Sequence, residues 1–157
     1  MRRIVVICVL AASAALAAAA ETARTPLADA VAAAPPAAAP PAAPGNPPTV
    51  FAASEMHFTP TDVGARAGLM DEPSRTLANL EIHVTTLNPG QRSHAPHQHA
   101  NEEIVVLHTG QLEVYVNGAT KVVGPGSILV FLSNDWHGVR NVGAVPATYE
   151  VINVRPR

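Results

Sequence analysis

Apolar and polar residues alternate along several short segments in the second half of the chain. The segment LEIHVTTL at 80–87 places Leu80, Ile82 and Val84 on one side, with polar residues between them. The segment QLEVYV at 111–116 alternates in the same way. Because successive side chains of a β-strand point to opposite faces, this two-residue period predicts half-buried strands.

Turn-forming residues separate these segments and predict how the strands connect. Asn117-Gly118 follows QLEVYV and precedes ATKVV at 119–123, which is typical of a tight hairpin. SILVFL at 127–132 and TYEVINV at 148–154 are further predicted strands. No segment after Val50 shows the periodicity of a helix. Short strands at this spacing predict an all-β domain built as an antiparallel sandwich or barrel.

The first third of the chain differs in composition and predicts two segments outside that domain. Residues 1–20 hold a basic pair, an apolar stretch and a small-residue end, the pattern of a cleaved secretory signal peptide. An uncleaved anchor is the second interpretation, because the apolar run is shorter than the ~20 residues of a membrane span. Residues 21–49 are mainly alanine and proline and predict an extended linker, so the domain should cover 50–157.

Cleavage would also change the chemistry of the chain. The only cysteine, Cys8, would be lost, which leaves no thiol for disulfides or metal ligation. Removal of two arginines would leave 8 basic against 12 acidic residues, a net charge of −4. This balance does not suit nucleic acid or an anionic membrane surface. We expect a periplasmic or secreted protein with no membrane span after cleavage.

Histidines are concentrated in the segment HQHANEE at 97–103. Residues two apart on a strand point to the same side, so His97 and His99 can face one point, and Glu103 follows in the same phase. In a barrel, His137 from a later strand can complete this set. Three imidazoles and a carboxylate suit one divalent transition metal: manganese, iron, zinc, nickel or cobalt. The alternative is a buried polar network without metal, which is costly when polar groups are unpaired.

The spacing of these residues resembles the two sequence motifs of the cupin superfamily. The first motif, G-x5-6-H-x-H-x3-4-E-x6-G, is matched by Gly90, His97, His99, Glu103 and Gly110. The second motif, G-x5-P-x-G-x2-H-x3-N, is matched by Gly126, His137 and Asn141. It departs from the pattern in having Leu132 where proline is usual and Asn134 where glycine is usual.

The resemblance covers about residues 50–157 and implies a cupin jelly roll, usually a homodimer, with one metal inside. It implies that the metal ligands are His97, His99, Glu103 and His137. We expect His94 to lie at the rim or next to the ligands and not to bind the metal itself, because it is out of strand phase with His97 and Pro96 lies between them. Candidate substrate-binding residues at the cavity or its mouth are Arg92, Phe131, Asn134 and Trp136. Three further histidines are interpreted as surface or structural residues: His57, His83 and His108.

The resemblance leaves the reaction open, because cupins carry out oxidation, decarboxylation, isomerisation, lyase chemistry and hydrolysis on one fold. We expect a mononuclear metal-dependent enzyme that acts on a small oxygenated molecule, with dioxygenase-like oxidation as the first hypothesis and a lyase or hydrolase as alternatives. A different class is a non-catalytic module that binds a small acid, a sugar or a metal. The lack of an evident acid–base residue beyond the ligands favours that module.

Overall fold

The computed structural model describes residues 50–157. The signal peptide predicted at 1–20, which contains Cys8, and the linker predicted at 21–49 lie outside the described residues. In chain order the strands are β1 (Thr59–Thr61), β2 (Gly64–Glu72), β3 (Leu77–Leu87), β4 (Glu102–Thr109), β5 (Leu112–Val116), β6 (Ala119–Val123), β7 (Ile128–Phe131), β8 (His137–Asn141) and β9 (Ala147–Pro156). A single 3-10 turn at Ala53–Glu55 precedes them, and nothing helical within 50–157 is long and apolar enough to cross a membrane.

The strands form two antiparallel sheets. The larger sheet has the order β1-β2-β3-β9-β4-β7, and the smaller has the order β6-β5-β8. Side chains of both sheets meet in a single buried cluster: Leu87, Val105, Leu107, Leu112, Val114, Leu129, Phe131, Ala147, Tyr149 and Val151. Burial of these apolar side chains stabilises the pair of sheets. The predicted all-β jelly roll is therefore confirmed.

The hairpin between β5 and β6 follows the predicted sequence signal. Asn117 and Gly118 have φ angles of 47° and 92°, so both adopt the left-handed conformation. Tight two-residue hairpins of this kind require positive φ at both central positions, which asparagine and glycine tolerate best. The strands on either side pair in register from Leu112↔Val123 to Val116↔Ala119.

The register of the larger sheet brings distant polar residues into one row. Asn153 on β9 lies opposite Glu81 on β3 and also opposite Glu103 on β4. Glu103 in turn lies opposite Phe131 on β7. Since residues aligned across a sheet point to the same face, all four side chains face the interior. This row forms one wall of the site described below.

Candidate metal centre

Three histidines converge between the two sheets. One ring nitrogen from each of His97, His99 and His137 lies within 4.8 Å of the other two, so the three residues could hold a metal ion. His137 is the first residue of β8 and is almost completely buried, with 2% of its surface exposed. The other two histidines come from the connection that precedes β4 and are partly buried.

The segment that carries His97 and His99 is an irregular connection and not the regular strand that the sequence predicted. His97 makes an isolated β-bridge with His137, in which each backbone N–H donates to the other carbonyl at 3.0 and 2.8 Å. The carbonyl of His99 accepts a bond from the N–H of Asn134 at 2.8 Å. These backbone bonds hold the two parts of the motif together without continuous strand pairing.

Backbone carbonyls orient two of the imidazoles. His99 Nδ1 lies 3.0 Å from the carbonyl of Asn101, and His137 Nδ1 lies 2.8 Å from the carbonyl of Asp135. A carbonyl oxygen can only accept, so the proton of each ring lies on Nδ1. With the proton on Nδ1, the Nε2 atom of each ring is the one that can bind a cation.

Glu103 lies beside these free nitrogens. Its Oε2 is 3.5 Å from His99 Nε2, and its Oε1 is 3.9 Å from His137 Nε2. Asn153 Nδ2 donates to Oε2 of the same carboxylate at 3.3 Å. A lone pair facing a carboxylate is unfavourable without a positive charge between them, so the arrangement suits a bound cation.

Unpaired buried nitrogens test whether the site fits a metal. Among residues 50–157, two buried side-chain nitrogens have no hydrogen-bond partner, and they are His97 Nδ1 and His137 Nε2. Burial, followed by the neighbouring histidines, lowers the pKa of His97 below its usual value. A neutral imidazole is the form that binds a metal. Both features therefore fit a transition-metal site made of nitrogen ligands and one carboxylate.

The histidines border a cavity of about 540 Å³ inside the barrel. Its apolar walls include Val63, Val105, Phe131, Val139 and Val151. Its polar lining outside the histidine cluster includes Arg66, Glu81, His83, Thr85, Ser93, Tyr149 and Asn153. The volume is within the usual range of pockets that hold small molecules, roughly 300 to 1,000 Å³.

Comparison with known proteins agrees with this architecture. The cupin domain model matches residues 83–154, a range that includes the cluster and seven of the nine strands in whole or in part. Residues 83–154 therefore match a cupin domain, and the described residues have the fold of cupin proteins. No curated protein matches this chain.

Two solved structures show the same fold, and a third matches over a smaller part of the chain. An RmlC-like cupin from Shewanella frigidimarina is 16% identical, with a TM-score of 0.57 over 72% of this chain and 95% of that one. KdgF from Halomonas sp. is 18% identical, with a TM-score of 0.56 over 71% of this chain and 96% of that one. A sugar phosphate isomerase of the cupin superfamily from Silicibacter pomeroyi is 25% identical, with a TM-score of 0.48. That match covers 57% of this chain and 59% of the isomerase.

Two residues predicted near the ligands of the cupin site lie against the histidines. Phe131 is buried and lines the cavity, and its ring stacks on His137 with a centroid distance of 4.4 Å and an interplanar angle of 12°. The exposed ring of His94 meets His97 edge to face at 4.2 Å. Both contacts restrict the rotation of a histidine ring of the cluster.

The other predicted pocket residues of the cupin domain lie outside the lining of the main cavity. Arg92 borders a separate groove of about 300 Å³ beside Arg140. Asn134 has a φ of 65° in the turn before β8, a conformation that asparagine tolerates, which explains how it replaces the usual glycine. Trp136 is 48% exposed, because the alternation at the start of β8 turns His137 inward and its neighbour outward.

Sequence reasoning missed a polar cluster on another wall of the cupin cavity. His83, interpreted as a surface or structural residue, lines the cavity with Glu81 and Arg66. Burial and the charge of Arg66 lower the pKa of His83, while Glu81 raises it. The strict alternation of LEIHVTTL contained the signal, because one face of a strand in a barrel must point inward. In β3 the polar face lines the cavity, and Leu80 and Ile82 lie on the opposite face.

Proposed function

We propose that this cupin domain is a mononuclear enzyme that binds one divalent transition metal through His97, His99, His137 and Glu103. The observation that carries the proposal is the pair of buried, unpaired ring nitrogens within a cluster of three histidines beside a carboxylate. Manganese, iron, zinc, nickel and cobalt all accept this ligand set. The metal would supply a Lewis acid with open positions for an oxygenated molecule.

Residues of the chain itself would bind and orient that molecule. Val105, Val151 and Phe131 provide apolar walls for the cavity. Asn153 donates to Glu103, which holds the carboxylate in place. The cavity volume limits the ligand to a small molecule.

Titratable groups in the cavity favour an enzyme over a passive binding module. His83, Glu81 and Tyr149 line the same space as the metal-ligand candidates but are not part of the three-histidine cluster. Burial raises the pKa of Tyr149 to about 12, so its hydroxyl keeps its proton at neutral pH. Proton donors and acceptors are therefore present beyond the ligands. Dioxygenase-like oxidation remains our first hypothesis for the reaction, ahead of a lyase or hydrolase.

Turnover of candidate substrates tests this proposal. The full-length protein, loaded in turn with iron(II), manganese(II), cobalt(II), nickel(II) or zinc(II), is incubated with catechols, 1,3-diketones, 2-oxo acids and sugar acids. We expect dioxygen uptake, measured with an electrode, together with loss of one compound in mass spectrometry. A His97→Ala variant should lose at least about a hundred-fold in rate.

Each alternative predicts a different result in the same experiment. Substrate loss without dioxygen uptake indicates a lyase or hydrolase. Saturable binding of a compound that no metal-loaded form of the protein consumes would contradict the proposal of an enzyme and would indicate a binding module.

We also propose that the protein is exported, on the basis of the signal-peptide pattern at residues 1–20. Expression of the whole sequence in a Gram-negative host should give a periplasmic protein. Its intact mass, measured by mass spectrometry, should match a chain that begins at Glu21. A full-length mass in the membrane fraction would instead indicate an uncleaved anchor. The homodimer stays a prediction that sedimentation of the same preparation can test.

A further inference from the structure

His83 and two charged neighbours form a compact cluster in the cavity wall. One NH2 group of Arg66 lies 2.6 Å from Glu81 Oε1 and 3.1 Å from His83 Nδ1. His83 Nδ1 lies 3.3 Å from the same Glu81 oxygen. The cluster belongs to β2 and β3, whereas the metal-ligand candidates belong to β4, β8 and the connection before β4.

The contact with Arg66 determines which ring nitrogen of His83 carries the proton. An arginine guanidinium has only donors, so its bond to Nδ1 requires a lone pair on Nδ1. The Glu81 oxygen is farther from Nδ1 and already accepts a bond from Arg66. The proton of the neutral ring is therefore on Nε2, and no protein group within 50–157 bonds to that nitrogen.

Charges around the ring keep it neutral. Burial and the positive charge of Arg66 lower the pKa of His83, and they outweigh the negative charges of Glu81 and Glu103, which raise it. At neutral pH the ring is thus a donor through Nε2 without a positive charge. Such a donor can bond to a carbonyl, hydroxyl or carboxylate oxygen.

The sheet register places His83 at a useful distance from the histidine cluster. His83 lies opposite Val151 on β9, and Val151 lies opposite Val105 on β4, two residues after Glu103. With strands ~4.8 Å apart and ~3.4 Å per residue, the backbones of His83 and Glu103 are roughly 12 Å apart. Two inward side chains and a molecule of a few heavy atoms can fill this span.

We propose that His83 Nε2–H donates a hydrogen bond to an oxygen of the bound ligand, at the end remote from the metal. Arg66 and Glu81 act as positioning residues that hold the ring and its tautomer. The ligands accepted are then small molecules with oxygen atoms at both ends. This inference rests on the proposed function, because it takes the other end of the ligand to bind at the metal.

The tautomer is tested first, without any ligand. Full-length protein with 15N-labelled histidine and bound zinc is studied by long-range 1H–15N correlation. We expect His83 to be protonated at Nε2, and we expect Arg66→Met to shift the proton to Nδ1 beside Glu81. Arg140→Met is the matched control, because Arg140 pairs with Glu113 outside the main cavity. An Nδ1–H ring in the wild-type protein would overturn the inference.

Ligand binding is tested with two probes that differ at one end. 2-Oxoglutarate and 2-oxovalerate have the same chain length and the same metal-chelating end, but only the first has a remote carboxylate. We expect calorimetry on the zinc-loaded wild type to show tighter binding of 2-oxoglutarate. His83→Leu should reduce that preference by about three- to ten-fold, the value of one hydrogen bond, and His83→Gln should restore part of it.

Matched controls separate this inference from the proposed function. His108→Leu should leave the preference unchanged, because His108 pairs with Glu150 and does not line the cavity. An equal preference in wild type and His83→Leu, or no binding of either acid by the zinc form, would overturn the role of His83. Failure of the wild type to bind zinc at all would overturn the proposed metal site itself.

Discussion

Replacing His137 by alanine will lower the affinity of the protein for a divalent transition metal by at least about a hundred-fold. Loss of a group that only orients a ligand typically costs 10- to 100-fold, so loss of a direct ligand should cost at least as much. The buried Nε2 of His137 has no hydrogen-bond partner among the described residues. Competition with a chelating dye measures the affinity, and elemental analysis should show bound metal falling from one equivalent to under about a tenth.

A histidine outside the cluster provides the matched control for this prediction. His108 is exposed, lies 3.7 Å from Glu150 and is outside the three-histidine group, so His108→Ala should bind metal as the wild type does. His99→Ala should repeat the loss seen for His137→Ala, and circular dichroism checks that both variants remain folded. Stoichiometric metal with unchanged affinity in both folded variants would rule out the site.

Replacing Asn141 by alanine will destabilise the cupin domain by about 3–5 kcal/mol. The residue is fully buried, and its Nδ2 donates to the carbonyls of Leu87 and Val145 at 2.9 and 2.8 Å. Its Oδ1 accepts from the N–H of Gly143 at 2.9 Å. The bond to the Leu87 carbonyl is buried and the other two are partly buried. A buried polar group left without a partner costs about 1–3 kcal/mol, so the loss of all three bonds adds up to several kcal/mol. Equilibrium unfolding in urea measures the change.

An exposed asparagine in a neighbouring loop serves as the comparison. The side chain of Asn88 is exposed, so Asn88→Ala should change the free energy of unfolding by no more than about 0.5 kcal/mol. A loss below about 1 kcal/mol in Asn141→Ala would show that water replaces the three bonds. Because Asn141 ends the strand that begins at His137, we also expect its replacement to weaken metal binding.

Local patterns were sufficient where the physical cause is local. The alternation at 111–116 and the Asn117-Gly118 signal predicted a hairpin, and the structure contains it with the expected positive φ angles. The alternation at 80–87 predicted β3 but did not indicate that Glu81 and His83 face the interior. A period of two specifies two faces, and only packing against the second sheet selects which face lines the cavity.

Spacing in the sequence was enough to select the four candidate ligands, because residue type and short intervals are properties of the chain alone. The structure contains every strand that the sequence predicted from residue 80 onwards. Tertiary structure alone placed Asn153 beside Glu103, brought Arg66 to His83, and left Arg92, Asn134 and Trp136 outside the cavity. The first two outcomes depend on strand register between segments 50 and 17 residues apart, and no local pattern encodes that register.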